Sequence, residues 1–437
     1  METVDTDILI IGGGIGGLTL AAICQQLGIH CRVLERTPTL KPVGAGISLA
    51  PNALRLLDQL GLYPELLAMG QKVHKIQINR NQERWNTLDW TLVEQNFGYP
   101  ILSMERHAFH RLLYRVAGGG KTVVMDCKVQ DIIDDPAENF VTVVTNSGKQ
   151  LRGRLVVGAD GIRSITRRIL AGKANDKTAN TIRYTGRVHM SGITSPLSHL
   201  GENEKGVANW MLYDDSILTT WSCPDNRQWF IGAKMATDIS TPKDKNRSVW
   251  AGTTPETVKE AYGNEVHPFS KNGKLGDIVD ESERVLASDV FEEVAFPSMA
   301  KGRVALLGDA AHSMTSFFGQ GGCQAIEDAA VLADLIQEQV LSPGIGFSKL
   351  THQEVSNMLL VYSQRREKRV QDLARFSSNF ALLHTANLPY GTGGFIRALV
   401  YSYLPSWAWM WYLRWLYGTQ PTVTGLENTK LNTCTYK

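Results

Sequence analysis

One stretch, Asp7-Ile8-Leu9-Ile10-Ile11-Gly12-Gly13-Gly14-Ile15-Gly16-Gly17-Leu18, constrains the fold of this chain more than any other. The run from Ile8 to Ile11 is aliphatic throughout, which suits a parallel strand buried on both faces. Gly12, Gly14 and Gly17 then fit G-x-G-x-x-G. The first glycine allows a tight turn, the second lets backbone approach a pyrophosphate, and the third lets helix pack on strand. The pattern predicts a helix over about 18–27, ended by Gly28, whose unsatisfied N–H groups point at an anion. A second short strand over 31–35 ends in Glu35, 18 residues beyond Gly17 and near the spacing of about 20 expected for a ribose-binding acid. Glu35 and the adjoining Arg36 are candidate contacts to an adenosine without a 2′-phosphate; a solvent-facing ion pair is the alternative.

A chain of 437 residues implies two closely packed domains or one large two-layered one. The formal charge of +2, with no basic stripe interleaved with aromatics, argues against nucleic acid as the main partner. The cysteines (24, 31, 127, 223, 323 and 434) are scattered, with no C-x-x-C pair and no metal-ligand spacing, and read as reduced thiols. No leader precedes the first strand, so a cytoplasmic protein is expected.

Further along, the loop 41–49 carries Gly44 and Gly46, which lets backbone at Ala45 and Gly46 come near a ligand. Residues 72–90 alternate like strands outside the nucleotide fold. The segment 103–113 reads as a helix with Ser103 as N-cap and with Arg106 and Arg111 in its first turns, where arginine suggests a nearby anion or carbonyl. A hairpin over 141–145 and 151–157 leads into Gly158-Ala159-Asp160-Gly161. Alternating, aromatic-rich strands follow from about 181 to 236, then a polar helical region over 240–277 broken by Pro242, Pro255 and Pro268. A strand from 303 ends in Gly308-Asp309, and a second glycine turn, Gly319 to Gly322, opens a helix to about 340.

Taken together, these motifs resemble the single-component FAD-dependent monooxygenase family, which includes salicylate hydroxylases, zeaxanthin epoxidases and fungal secondary-metabolite enzymes. The likeness runs over about 7–340. It implies an α/β fold: a Rossmann-like FAD-binding part of the glutathione-reductase type, an inserted mixed β-sheet substrate domain, and a helical C-terminal tail. The corresponding divisions are 1–72, 101–180 and 296–385 for FAD, 73–100 and 181–295 for substrate, and 386–437 for the tail. The resemblance implies that the glycine turn holds the FAD pyrophosphate and that Glu35 takes the ribose. It places Asp160-Gly161 by FAD and the NAD(P)H that reduces it. Asp309 takes the ribityl chain, Gly321 and Gly322 lie against the isoalloxazine, and Arg106, or else Arg111, contacts FAD. The implied reaction uses dioxygen and a flavin hydroperoxide to epoxidise or hydroxylate a bulky lipophilic terpenoid, indole alkaloid or polyketide. Two departures stand out: Ser316 replaces a proline usual in the loop over the flavin, and Met190-Ser191 stands where an arginine is common before Gly192.

Arg187 and Tyr213 are the candidate catalytic side chains, Trp221 and Trp229 the pocket walls, and His312 a neighbour of the flavin loop. Ser316 keeps a non-redox cyclase or isomerase open, and a flavin-binding carrier is the other alternative. The tail 395–417 carries Trp407, Trp409, Trp411 and Trp415 with four tyrosines, interrupted by Pro405. Its apolar length falls below the ~17–25 residues of a spanning helix, so it caps the core, lines a greasy entrance or touches a membrane peripherally. A monomer or homodimer is expected.

Overall fold

The computed structural model describes residues 4–426 except 43, 82, 173–181, 202–203, 215, 236–253, 268–269, 296, 316–318 and 387. Ser316, Pro242, Pro268 and Cys434 therefore lie outside the described residues, and the five described cysteines are all free thiols.

The first strand, Thr6–Ile11, lies inside an eight-stranded sheet, paired in parallel with Gln150–Gly158 on one side and Cys31–Leu34 on the other. Val304–Leu306 continues the parallel run beyond Gln150–Gly158. The strand is buried on both faces, as its composition predicts. Ile8 and Ile10 enter the main core, while Leu9 and Ile11 join Val129, Ile132, Val141 and Val143 in a second cluster. Each such side chain, fully withdrawn from water, contributes about 1.5–3 kcal/mol. The hairpin Val141–Thr145 with Gln150–Gly158 is present in antiparallel register. The helix Ile15–Leu27 follows the glycine turn, ends at left-handed Gly28, and packs on the helix Gln320–Ile336.

A seven-stranded sheet forms the second layer, in the order Ser282–Glu293, Ile182–Thr194, Arg227–Met235, Ser216–Cys223, Val207–Leu212, Lys75–Arg80, Glu83–Asp89. Lys75–Arg80 reaches it by pairing in parallel with Val207–Leu212. One face is covered by the short helices Pro255–Tyr262 and Leu275–Asp280, through a cluster that includes Met190, Leu218, Phe230 and Ile278. The other face turns toward the first layer.

Between the layers, Gly46–Leu49, Ile101–Glu105 and Gln71–Val73 make a three-stranded sheet. This corrects the expected cap at Ser103. Residues 101–105 are strand, the helix is Arg106–Val116, and its N-cap is Glu105, with no side-chain cap bond. Two strand partners satisfy the backbone around Ser103, which outweighs the local preference of serine for a helix start.

The chain closes with a 33-residue helix, His352–His384, started by a capping box of Thr351 and Glu354, and two shorter helices, Gly393–Tyr403 and Ser406–Tyr417. Among the described residues no helix is long and apolar enough to cross a membrane.

Candidate active site

The glycine turn has the geometry its spacing implies. Gly12 sits at φ +107°, and a Cβ there would fall 2.4 Å from the Ala159 carbonyl oxygen. A Cβ at Gly17 would fall 2.2 Å from the Gly12 carbonyl oxygen, so helix and turn touch backbone to backbone. A Cβ at Gly14 would meet nothing within 4 Å, and Gly14 caps the helix without a side-chain bond. The first-turn N–H groups thus face open space, as a pyrophosphate requires. Glu35 is held ready: Gly13 N–H donates to its Oε2 at 2.7 Å, and the Thr37 N–H and hydroxyl donate to Oε1 at 2.9 Å. His110, which carries no sequence signature, donates from Nε2 to the Gly13 carbonyl at 2.6 Å and ties the helix 106–116 to the turn. Burial lowers the His110 pKa, and that carbonyl pulls it back up.

Of the two arginines in that helix, Arg106 lines the cavity and Arg111 is exposed on the outer face. Arg36 is also exposed, away from the cavity lining. Arg106 faces Asp309, which lies deep in the protein yet opens to the cavity. That depth raises the Asp309 carboxyl above its ordinary value, with His312, Arg106 and Arg167 pulling it down. Asp160 is placed differently from expectation. Its carboxylate accepts from Ser164 Oγ at 2.5 Å, Ile165 N–H at 2.8 Å and Thr166 N–H at 3.1 Å, so it takes up the first N–H groups of the helix Ile165–Leu170 and holds that helix's N-cap, Ser164. The cavity wall at this turn is made by Ala159 and Gly161, not by the aspartate. Gly319 to Gly322 line the opposite side, and Gly319 caps the helix Gln320–Ile336 without a side-chain bond.

The cavity, about 420 Å³, runs from these loops to the seven-stranded sheet. Strand alternation selects its wall: Ile217, Thr219 and Trp221 from one strand, Trp229, Ile231 and Ala233 from the next. Trp221 and Trp229 stack with centroids 5.5 Å apart and planes 7° apart. Trp229 donates to Ser103 Oγ at 2.9 Å, and its ring lies so close to Gly46 that a Cβ there would fall 2.0 Å from Cγ. Ala45 packs in the same buried group, with Ile193 and Cys223.

Neither catalytic candidate lines this cavity. The Tyr213 hydroxyl donates to the Val266 carbonyl, and its ring belongs to the cluster on the sheet's far face. Arg187 is buried beside Glu292, and burial lowers its pKa. His189, two residues on, does line the cavity, and no described side chain hydrogen-bonds its ring. Burial, helped by the Arg187 charge, lowers its pKa to about 4 and keeps the imidazole neutral. His384 lines the cavity too, bonded to the Tyr401 hydroxyl.

Behind the turns at Gly308 and Gly319 lies a buried ionic cluster. Asp328 accepts the Gly308 N–H at 2.8 Å, His312 Nε2 at 2.6 Å and Arg366 Nε at 2.6 Å. Burial alone would raise its pKa, but His312 and Arg366 bring it to about 2. Glu327 receives Arg366 Nη1 at 2.7 Å and both Nε and Nη2 of Arg369. Nothing local in the sequence around His312 announces the partners that hold it, since Asp328 and Arg366 come from two later helices.

The sequence profile of the FAD binding domain family matches residues 5–377. An FAD-dependent monooxygenase of Aspergillus niger, pynG, is 50% identical over 436 residues, covering 97% of this chain and 98% of that one. The chain belongs to the FAD-dependent monooxygenases. Among solved structures, this monooxygenase resembles Klebsiella pneumoniae HpxO complexed with FAD and uric acid, with a TM-score of 0.75 at 21% identity, covering 95% of this chain and 96% of that one. It also resembles a salicylate hydroxylase substrate complex, with a TM-score of 0.69 at 19% identity over 94% and 95% of the two chains. The open Gly14 turn, the tethered Glu35 and the cavity-facing Arg106 and Asp309 fit the pyrophosphate, ribose and ribityl parts of the cofactor that the monooxygenase takes.

Proposed function

We propose that this monooxygenase uses NAD(P)H and dioxygen to epoxidise an alkene or hydroxylate an aromatic ring of a bulky, lipophilic secondary metabolite. One oxygen atom goes to the substrate; the other leaves as water with the two electrons of NAD(P)H and two protons. The observation that carries this reading is the continuity of one cavity from Asp309 and Gly319–Gly322 to an apolar wall of Trp210, Ile217, Trp221, Trp229 and Ile231. Such a wall favours a neutral, flat ligand and excludes water from the reacting end.

FAD, when bound, supplies the electron transfer and the activation of dioxygen. The chain's own part begins with anion binding by the helix at Gly14 and ribose binding by Glu35. Arg106 and Asp309 orient the cofactor between them, Asp309 as a hydrogen-bond acceptor. The N–H groups at the start of Gln320–Ile336 oppose negative charge on the flavin ring. His189 is the substrate-facing hydrogen-bond partner, kept neutral by burial with the Arg187 charge adding to it. Asp160 shapes the turn that sets Gly161 in the wall.

The test is anaerobic mixing of the purified holoprotein with NADPH or NADH, with and without a panel of lipophilic metabolites, following visible flavin absorbance. Bleaching accelerated by one metabolite supports the reading and identifies the ligand. Flavin that neither nicotinamide bleaches under any addition overturns it.

A further inference from the structure

The two C-terminal helices each have a buried face and a bare one. Tyr401 and Trp409 stack, centroids 6.1 Å apart, and both pack edge-to-face on Trp210, at 6.2 Å each. Trp210 and His384 are themselves cavity wall, so these helices are the outer layer over the substrate end. Pointing the other way, Phe395, Leu399 and Tyr403 recur every fourth residue along the first helix and Trp407, Trp411 and Trp415 along the second. Phe395 is 75% exposed, Tyr403 77%, Trp407 71% and Trp411 74%. Spacing of four keeps each set on one helical stripe. At ~200 Å² for a fully exposed large side chain, each stripe exposes on the order of 400 Å², within the ~300–600 Å² of the largest apolar patch on a typical monomer, and this chain carries two.

We propose that this double stripe docks the enzyme on the surface of an anionic lipid bilayer, its two helices lying in the interface plane. Helices of 11 and 12 residues, ~1.5 Å per residue, are far too short to span ~30 Å of hydrocarbon. Trp and Tyr are the side chains that settle at the boundary of hydrocarbon and headgroups. Charge separates a membrane from a second copy of the chain. Residues 385–426 carry two arginines and no carboxylate; Arg397 is buried and donates to the His384 carbonyl, so Arg414, exposed within the Trp stripe, is the charge the patch presents. A two-fold dimer through this patch would oppose like charge to like charge, whereas lipid phosphate answers it. Of the carboxylates nearby, Glu94 is engaged by Lys72 at 2.8 Å and Asp372 by Lys368 at 2.9 Å, while Asp89, whose N–H donates to Ser406 Oγ, holds the Thr91 N–H and hydroxyl with its carboxylate. Docking sets the substrate end of the cavity against the bilayer, a source of lipophilic substrate; that link rests on the proposed function, while docking itself does not.

The experiment is co-sedimentation of the FAD-loaded enzyme with vesicles of phosphatidylcholine alone or with phosphatidylserine, with no turnover, so failure of docking and failure of the oxygenation reading are distinguishable. The wild type should sediment, more strongly with phosphatidylserine. The exposed variant Trp407→Ser/Trp411→Ser should lose roughly tenfold or more in partitioning while retaining FAD. Arg414→Glu should weaken binding to the phosphatidylserine vesicles only. Wild type remaining in the supernatant, or equal sedimentation of wild type and the double variant, would overturn the proposal. So would a dimer, seen by analytical ultracentrifugation without vesicles, that the double variant dissociates, since the patch would then belong to a second copy.

Discussion

Gly46→Ala tests the link between the flavin side and the substrate wall. Its Cβ would lie 2.0–2.2 Å from three atoms of the Trp229 indole, where non-bonded carbons rest at ~3.5–4.0 Å. The ring must therefore retreat by about 1.5 Å. It has little room: Trp221 stacks with it at 5.5 Å, and the 2.9 Å bond from its Nε1 to Ser103 would stretch beyond use. Overpacking costs about 1–3 kcal/mol and a lost buried hydrogen bond about 1, so a loss of about 2–4 kcal/mol is expected. Thermal unfolding followed by near-ultraviolet circular dichroism reads both consequences, a lower midpoint and an altered tryptophan couplet. Adding Trp229→Leu should recover part of the loss, because the clashing ring is gone. A Gly46→Ala protein with wild-type midpoint and wild-type spectrum would refute the packing argument.

Asp309→Ala should weaken FAD binding roughly 10- to 100-fold, the value of one or two hydrogen bonds to a charged acceptor; full colour kept after dialysis would count against the assignment. His189→Ala should lower product formation, or the affinity of whichever metabolite accelerates bleaching, without releasing FAD, and unchanged turnover would remove it from the site. The Asp328 carboxyl, held at about 2 against an ordinary 3.8, favours the folded state above pH ~4, and that contribution fades as pH falls through ~2. It is worth on the order of 2 kcal/mol, so Asp328→Asn should flatten the acid side of the stability curve in denaturant titrations.

The cofactor half was legible because its signals are local. Glycines at 12, 14 and 17, an aliphatic strand before them and an acid 18 residues on are each forced by geometry within one βαβ unit. Asp309 and the second glycine turn were singled out by the resemblance, and both line the cavity. Ser103 was not legible, since its strand is made by partners at 46–49 and 71–73. On the substrate side Trp221 and Trp229 line the cavity as expected, while the catalytic candidates Arg187 and Tyr213 do not. Alternation shows that 217, 219 and 221 share a face, but not which face meets the flavin; that depends on the helices at 255–262 and 275–280 covering the other side. Tyr213 thus went to the covered side; Arg187 and His189, two apart, share the open face, and only His189 reaches the cavity lining. Asp160 shows a further limit: a carboxylate in a conspicuous turn can be consumed by the backbone it stands next to.

Arg369 gives two N–H groups to Glu327, on the helix that opens at the flavin loop, and others to the carbonyls of Trp415 and Leu416, at 3.3 and 3.0 Å. The last helix is therefore fastened to the same carboxylate as the cofactor helix. Anyone exchanging tails between related enzymes to alter where they dock or what they admit would be editing an anchorage of the redox centre as well. A chimera joined at residue 392 inherits Arg369 from one parent and the carbonyls it grips from the other, and its yellow colour will report whether the two still meet.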